Sequence, residues 1–192
     1  MDQFEFIVKT LLEAEGYWVR QSQKVELTRE EKVKLENPYM PRPEIDLVAY
    51  KVTDNTVLVM EVKSYLDSGA GVTLNDIKNN TEKAVGGYKL LTCEPYREQV
   101  LKSLRSQLLE AGLIGKETRF KFGLALGHVK DKQAAEIRNY LEGIGWEFWS
   151  QQDIRKKVEA LADRGYENSA VVLTAKILLR GKEKANTSVG EG

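Results

Sequence analysis

The sequence lacks the residues on which most side-chain chemistry depends. Cys93 is its one cysteine and His128 its one histidine. No disulfide can close within the chain, and no Cys/His set for a structural zinc site or an iron–sulfur cluster can be assembled. A Cys-His dyad or Ser-His-Asp triad would have to use His128, which sits in Gly123-Leu-Ala-Leu-Gly-His-Val129, a stretch that reads as a strand end rather than a site. Net charge is missing too: 29 Lys and Arg face 29 Asp and Glu, so no general attraction to nucleic acid or membrane follows and any basic surface must be local. No apolar run approaches the roughly 18 residues of a spanning helix, and Met-Asp-Gln-Phe-Glu at the start lacks the basic then apolar layout of a signal peptide. A soluble cytoplasmic protein with no membrane partner is expected.

The chain has 192 residues, 42% of them apolar and 30% charged, enough for one packed domain of ordinary size. Phe4, Ile7, Val8, Leu11 and Leu12 recur at helical spacing over residues 2 to 15, and Gly16 follows as a cap. Tyr17 to Leu27 reads as a first strand. Thr28-Arg-Glu-Glu31 is a capping-box start for a short polar helix, an apparent insertion ending near Asn37-Pro38. Pro38, Pro41 and Pro43 then hold the chain extended.

Glu44 to Lys51 and Thr56 to Lys63 are β-rich runs joined by Thr53-Asp-Asn55, which predicts an antiparallel hairpin. Beyond the loop Ser68-Gly-Ala-Gly71, Thr73 caps a predicted helix carrying Ile77, Ala84, Val85 and Tyr88. A second helix with Val100, Leu101, Leu104, Leu108 and Leu109 precedes Gly112. Arg119 to Val129 returns to strand, Asp131 caps a helix through Leu141, Gly145 to Trp149 is a short aromatic strand, and two helical stretches reach about Arg180. The expected organisation is a single α/β domain over 1–180, with a core at 1–150, a helical addition at 151–180, and a disordered tail at 181–192.

Chemistry is concentrated in Pro43-Glu-Ile-Asp46 and Glu61-Val-Lys63. Residues two apart in a strand share a face, so Glu61 and Lys63 project together while Val62 goes to the other side. The hairpin can set Asp46, near the start of one strand, beside Glu61, near the end of the other. Two carboxylates and an ammonium then share one spot, and carboxylate oxygens suit a hard cation such as Mg²⁺, with Mn²⁺ as a substitute. The strand interiors, Leu47-Val-Ala49 and Val57-Leu-Val-Met60, are wholly apolar. Charge confined to one end of such a sheet reads as a site, because charge is rarely left there without a partner.

Glu44-Ile-Asp46 with Glu61-Val-Lys63 resembles the active-site signature of the PD-(D/E)-x-K nucleases, the restriction-endonuclease-like superfamily. The resemblance implies a central mixed sheet with an antiparallel meander flanked by helices, and the element order over residues 1 to about 150 follows it. It also implies that Asp46, Glu61 and the backbone carbonyl of Val62 bind Mg²⁺, and that Lys63 positions the attacking water and stabilises phosphorane charge. One departure stands out: Pro43 lies three residues before Asp46 instead of next to it. Many members add a glutamate from the first helix, for which Glu5 is the candidate. On its own residues Glu5 is equally an i,i+4 partner for Lys9.

Contact with nucleic acid is carried by less. Arg97, Lys102, Arg105, Lys116, Arg119 and Lys121 outnumber three acidic residues between 97 and 121, and Arg155-Lys-Lys157 opens a late helix. For any one of these lysines a solvated helix face is the favoured reading. Arg42 and Lys78, near the hairpin in sequence, are the candidate phosphate contacts. Trp146, Phe148 and Trp149 could stack on bases, but alternating aromatics in a strand are more often core. The resulting expectation is a Mg²⁺-dependent DNA endonuclease with Asp46, Glu61 and Lys63 at its centre; RNA is not excluded as substrate, and double-strand cleavage would favour a homodimer. The rival expectation is a non-catalytic DNA-binding or assembly subunit that retains the fold.

Overall fold

The structure, a computed structural model, describes residues 2–66, 72–78, 89–129, 133–165 and 167–179. Helix α1 (Gln3–Ala14) opens under an Asp2 cap whose carboxylate accepts from the Phe4 N–H, and its buried stripe is Phe4, Val8, Leu11 and Leu12. Strand β1 (Trp18–Lys24) and helix α2 (Arg29–Lys34) follow, the latter with the capping box Thr28/Glu31 complete. Strands β2 (Glu44–Lys51) and β3 (Thr56–Lys63) form the hairpin. Short helices α3 (Leu74–Lys78) and α4 (Lys89–Thr92) lead to the long α5 (Glu94–Glu110). Then come β4 (Arg119–Leu126), α6 (Gln133–Gly143), β5 (Glu147–Trp149), α7 (Gln151–Ala160), a 3-10 turn at Leu161–Asp163, and α8 (Ala170–Leu179).

The described strands make one open mixed sheet in sequence order, β1-β2-β3-β4-β5. β1, β2 and β3 are an antiparallel meander, while β4 and β5 run parallel to β3. A parallel pair needs a crossover, and α5 lies in the crossover from β3 to β4 as α6 lies in that from β4 to β5. Each face of the sheet is buried. On one side Val48, Val57, Val59 and Leu124 pack with Tyr96, Val100 and Leu104 of α5 and Ile137 and Leu141 of α6. On the other, Leu47, Ala49, Leu58, Met60 and Val62 pack with α1, Ile154 of α7, and Val172 and Ala175 of α8. Burial on both faces accounts for the unbroken apolar runs of β2 and β3.

Several boundaries differ from expectation. β1 stops at Lys24, because Val25 and Leu27 leave the sheet to fill the core under α5 and the Val25 N–H donates to the Pro43 carbonyl at 2.9 Å. The polar α2 is docked, not free: Glu31 accepts from Gln99 at 2.8 Å and from Ser103 at 3.0 Å, both on α5. β4 ends at Leu126, leaving Val129 only an isolated parallel bridge to Val72. Of the helix expected after Thr73, Leu74–Lys78 is seen, while Ala84, Val85 and Tyr88 lie outside the described residues, as do Asp131 and the tail 181–192. Among the described residues no helix is long and apolar enough to cross a membrane.

Candidate active site

The site lies where the hairpin opens. β2 and β3 pair from Lys51↔Thr56 as far as Leu47↔Met60. On the other side the β1–β2 register runs from Gln21↔Leu47 to Gln23↔Ile45 and skips Ser22 and Asp46. Asp46 therefore stands outside both ladders, and its side chain supplies what its backbone does not: Oδ2 accepts the Val62 N–H at 2.7 Å. The same oxygen lies 3.0 Å from Lys63 Nζ, which is also 3.1 Å from Glu61 Oε2. Asp46, Glu61 and Lys63 thus converge as their spacing predicts.

Burial makes this cluster unlike a surface salt bridge. Glu61 is only 4% exposed, and Asp46 and Lys63 are largely covered. Two carboxylates share one ammonium, so the cluster carries one negative charge in excess when both are ionised. Burial raises the Glu61 carboxyl to about 7; the Lys63 ammonium works against that shift, and Asp46 adds to it. For Lys63, burial disfavours the ammonium, but Glu61 and Asp46 together outweigh it and hold the proton more firmly than in water. The ammonium is therefore a fixed positive charge near neutral pH.

Glu5, from the first turn of α1, approaches from the opposite face. Its Oε2 accepts from Gln21 Nε2 at 3.0 Å, while Lys9 pairs with Glu13 at 3.7 Å instead of with Glu5. Partial burial raises its carboxyl, the Gln21 bond opposes that shift, and Asp46 adds to it. Among the described residues no three acidic, His or Cys side chains converge closely enough to ligate one ion. Mg²⁺ takes one or two carboxylates and keeps several waters, so Asp46, Glu61 and the Val62 carbonyl make a fitting donor set without Glu5. The excess negative charge is the feature of the site such an ion would meet.

Gln21 and Tyr96 are neighbours of the cluster that sequence reasoning passed over. Tyr96 lies one helical turn before Val100 on the inward stripe of α5, a periodic signal that was available. Its buried phenol is pushed up to about 12 by burial first and by the Glu61 charge second. Gln21 carried no such signal, since its relation to Glu5 exists only once α1 crosses the sheet.

The candidate phosphate contacts have other partners. Arg42 donates to Glu26 at 2.7 Å on an exposed surface, and the Lys78 ammonium sits 5.1 Å from the Tyr140 ring centroid. The basic run at 97–121 is mostly tied into the fold. Arg97 donates to the Leu90 and Leu91 carbonyls and lies over Trp146, Arg105 donates to the Lys116 carbonyl, Arg119 to the Asp54 carbonyl, and Lys121 pairs with Glu147. Phe148 and Trp149 are buried, one in each core, and Trp146 packs edge-on to Phe122. Comparison with protein-family models, curated proteins and solved structures returns no match, which leaves the geometry to carry any functional reading.

Proposed function

We propose that this chain is a Mg²⁺-dependent nuclease that hydrolyses phosphodiester bonds of DNA, with the restriction-endonuclease-like fold and the PD-(D/E)-x-K site its motif resembles. The observation that carries this reading is the convergence of Asp46 and buried Glu61 on Lys63, whose Nζ lies 3.0 Å from the first and 3.1 Å from the second, at the open end of an otherwise apolar hairpin. A bound divalent ion lowers the pKa of water and neutralises charge at a scissile phosphate. Asp46, Glu61 and the Val62 carbonyl would hold it. Lys63, anchored by both carboxylates, presents a permanent positive charge where oxyanion character grows during attack, an electrostatic contribution that needs no reorganisation at the moment of reaction.

The rival reading is a non-catalytic DNA-binding subunit. A binding module has no need of a covered lysine held between two carboxylates, and Lys63 is held so by Asp46 and Glu61. The test is cleavage of supercoiled plasmid and single-stranded DNA with Mg²⁺ or Mn²⁺, comparing wild type with Lys63→Ala and Asp46→Asn. Metal-dependent cleavage lost in both variants supports the nuclease. Inactive wild type, together with no Asp46-dependent Mn²⁺ uptake in calorimetry, overturns it.

A further inference from the structure

β1 and β2 turn over together halfway along their pairing. Gln21 pairs with Leu47 and Gln23 with Ile45, and residues two apart in regular strands share a face. Yet Leu47 packs in the core under α1 and Ile45 in the core under α5. The reversal falls at Ser22, whose φ of 52° puts a non-glycine residue in the left-handed region inside a strand, and at Asp46 opposite it. Such outliers are uncommon and collect where a fold positions functional groups.

Two consequences meet at the site. Asp46 leaves the ladder, which frees its carboxylate for the Val62 N–H and for Lys63. Gln21, the last residue before the reversal, still faces α1, and its amide donates to Glu5 at 3.0 Å. Lys9, the other donor near Glu5 on α1, is engaged with Glu13. Glu5 is therefore aimed from β1 and not from its own helix.

Building on the nuclease reading, we infer that Gln21 is a positioning residue of the active site, holding Glu5 toward Asp46 and Lys63 so that Glu5 acts on the water shell of the bound cation and not as a direct ligand. The outer-shell role rests on where Glu5 is held: its Oε2 is taken by Gln21, while Asp46 and Glu61 are the carboxylates that meet at Lys63. Partners of this kind set the orientation of groups around a metal, and their loss typically costs 10–100-fold in affinity or activity.

The experiment is a calorimetric Mn²⁺ titration and a steady-state cleavage assay on the full chain, for wild type, Gln21→Met, Glu5→Gln and the double variant. Methionine keeps the length of Gln21 and removes its amide, and with it the donor to Glu5. The expected result is Mn²⁺ binding weakened about tenfold in Gln21→Met, kcat lowered with KM for DNA unchanged, a similar loss in Glu5→Gln, and a double variant no worse than either single. A thermal melt checks the fold. Should Gln21→Met melt early, Gln21→Leu, uncharged and without the donor, takes its place. Mn²⁺ binding equal to wild type in the donor-less variant, or losses that multiply in the double variant, overturns the role of Gln21 alone. A wild type that takes up no Mn²⁺, or takes it up equally after Asp46→Asn, overturns the nuclease reading and this inference with it.

Discussion

The two ends of the β2–β3 hairpin use similar polar residues to opposite effect. At the turn, Asn55 adopts a φ of 46° and its Oδ1 accepts from Tyr50 Oη at 3.1 Å and Thr118 Oγ1 at 2.8 Å. Its carbonyl accepts the Arg119 N–H at 3.0 Å, and the Arg119 guanidinium reaches the Asp54 carbonyl. Donors and acceptors there match, and the result is a clasp that holds the start of β4 against the turn. At the open end, two carboxylates meet one ammonium, and buried Glu61 shares Lys63 with Asp46. The fold balances its polar groups at one end and leaves two carboxylates to one ammonium at the other, the imbalance on which the proposed cation site rests.

The sharpest way to break this contrast is to substitute one residue at each end. Lys63→Ala is expected to lower cleavage by about 10²–10³-fold, the usual cost of removing one group aimed at developing negative charge. Asn55→Ala should leave kcat intact and lower stability by about 1–3 kcal/mol, because Thr118, 1% exposed, loses the acceptor for its buried hydroxyl. Plasmid cleavage and urea melts on both variants check the pair. Loss of activity in Asn55→Ala without loss of stability would show that the turn is no mere clasp.

A second, smaller effect comes from the backbone that closes the open end. The Gly127 N–H donates to the Lys63 carbonyl at 2.9 Å, and a Cβ on Gly127 would fall 2.3 Å from the Ser64 carbonyl oxygen. Gly127→Ala must push β3 away from β4 just beyond Lys63, at about 1–3 kcal/mol. Cleavage should fall with it. Gly143→Ala, where an added Cβ meets nothing within 4 Å, serves as the control and should gain about 0.4–1 kcal/mol through the unfolded chain.

These contrasts also show where the sequence was readable. The hairpin lies where the β-rich runs, the prolines before them and the Thr53-Asp-Asn55 turn put it, and the motif spacing brought Asp46, Glu61 and Lys63 together, because both follow from local periodicity. The α1 stripe and the capping box of α2 were legible for the same reason. The reversal at Ser22 was not, since nothing local marks a serine for the left-handed region and only the packing of two cores on opposite faces demands it. That is why Gln21 went unnoticed. The basic run at 97–121 was ambiguous in principle: a charged side chain reads alike whether its partner is a phosphate, a solvent molecule or the carbonyl at the end of a neighbouring helix.

The pH response sharpens the comparison further, because the unbalanced end should titrate near neutrality. The Glu61 carboxyl, ordinarily near 4.5, is raised to about 7 in the folded protein, by burial first. The folded state then binds a proton that the unfolded state releases, so this group's contribution to stability is complete below about 4.5 and is lost as pH rises through about 7. A cation competes for the same carboxylate. Mn²⁺ affinity should therefore be about tenfold weaker at pH 6 than at pH 8, and Mn²⁺ should raise the melting temperature more at pH 8 than at pH 6. Calorimetry and melts at the two pH values test this, and a pH-independent affinity would show that Glu61 is not a ligand.

The smallest effect concerns the cations that were candidates for phosphate contact. Each phosphate neutralised by a lysine or arginine contributes close to one unit to the slope of log affinity against log salt. Lys78 lies against the Tyr140 ring, a contact that leaves its ammonium able to offer a charge to DNA. Arg42 already donates to Glu26, and a phosphate would have to compete with that carboxylate. In a Lys63→Ala background, where the substrate survives, Lys78→Ala should lower the slope by about one and Arg42→Ala by less. Fluorescence anisotropy of a labelled duplex at several salt concentrations reads both. Equal slopes in both variants and the background would remove Arg42 and Lys78 from the interface and shift the search for DNA contacts to Lys102 and Lys116, lysines of the basic run.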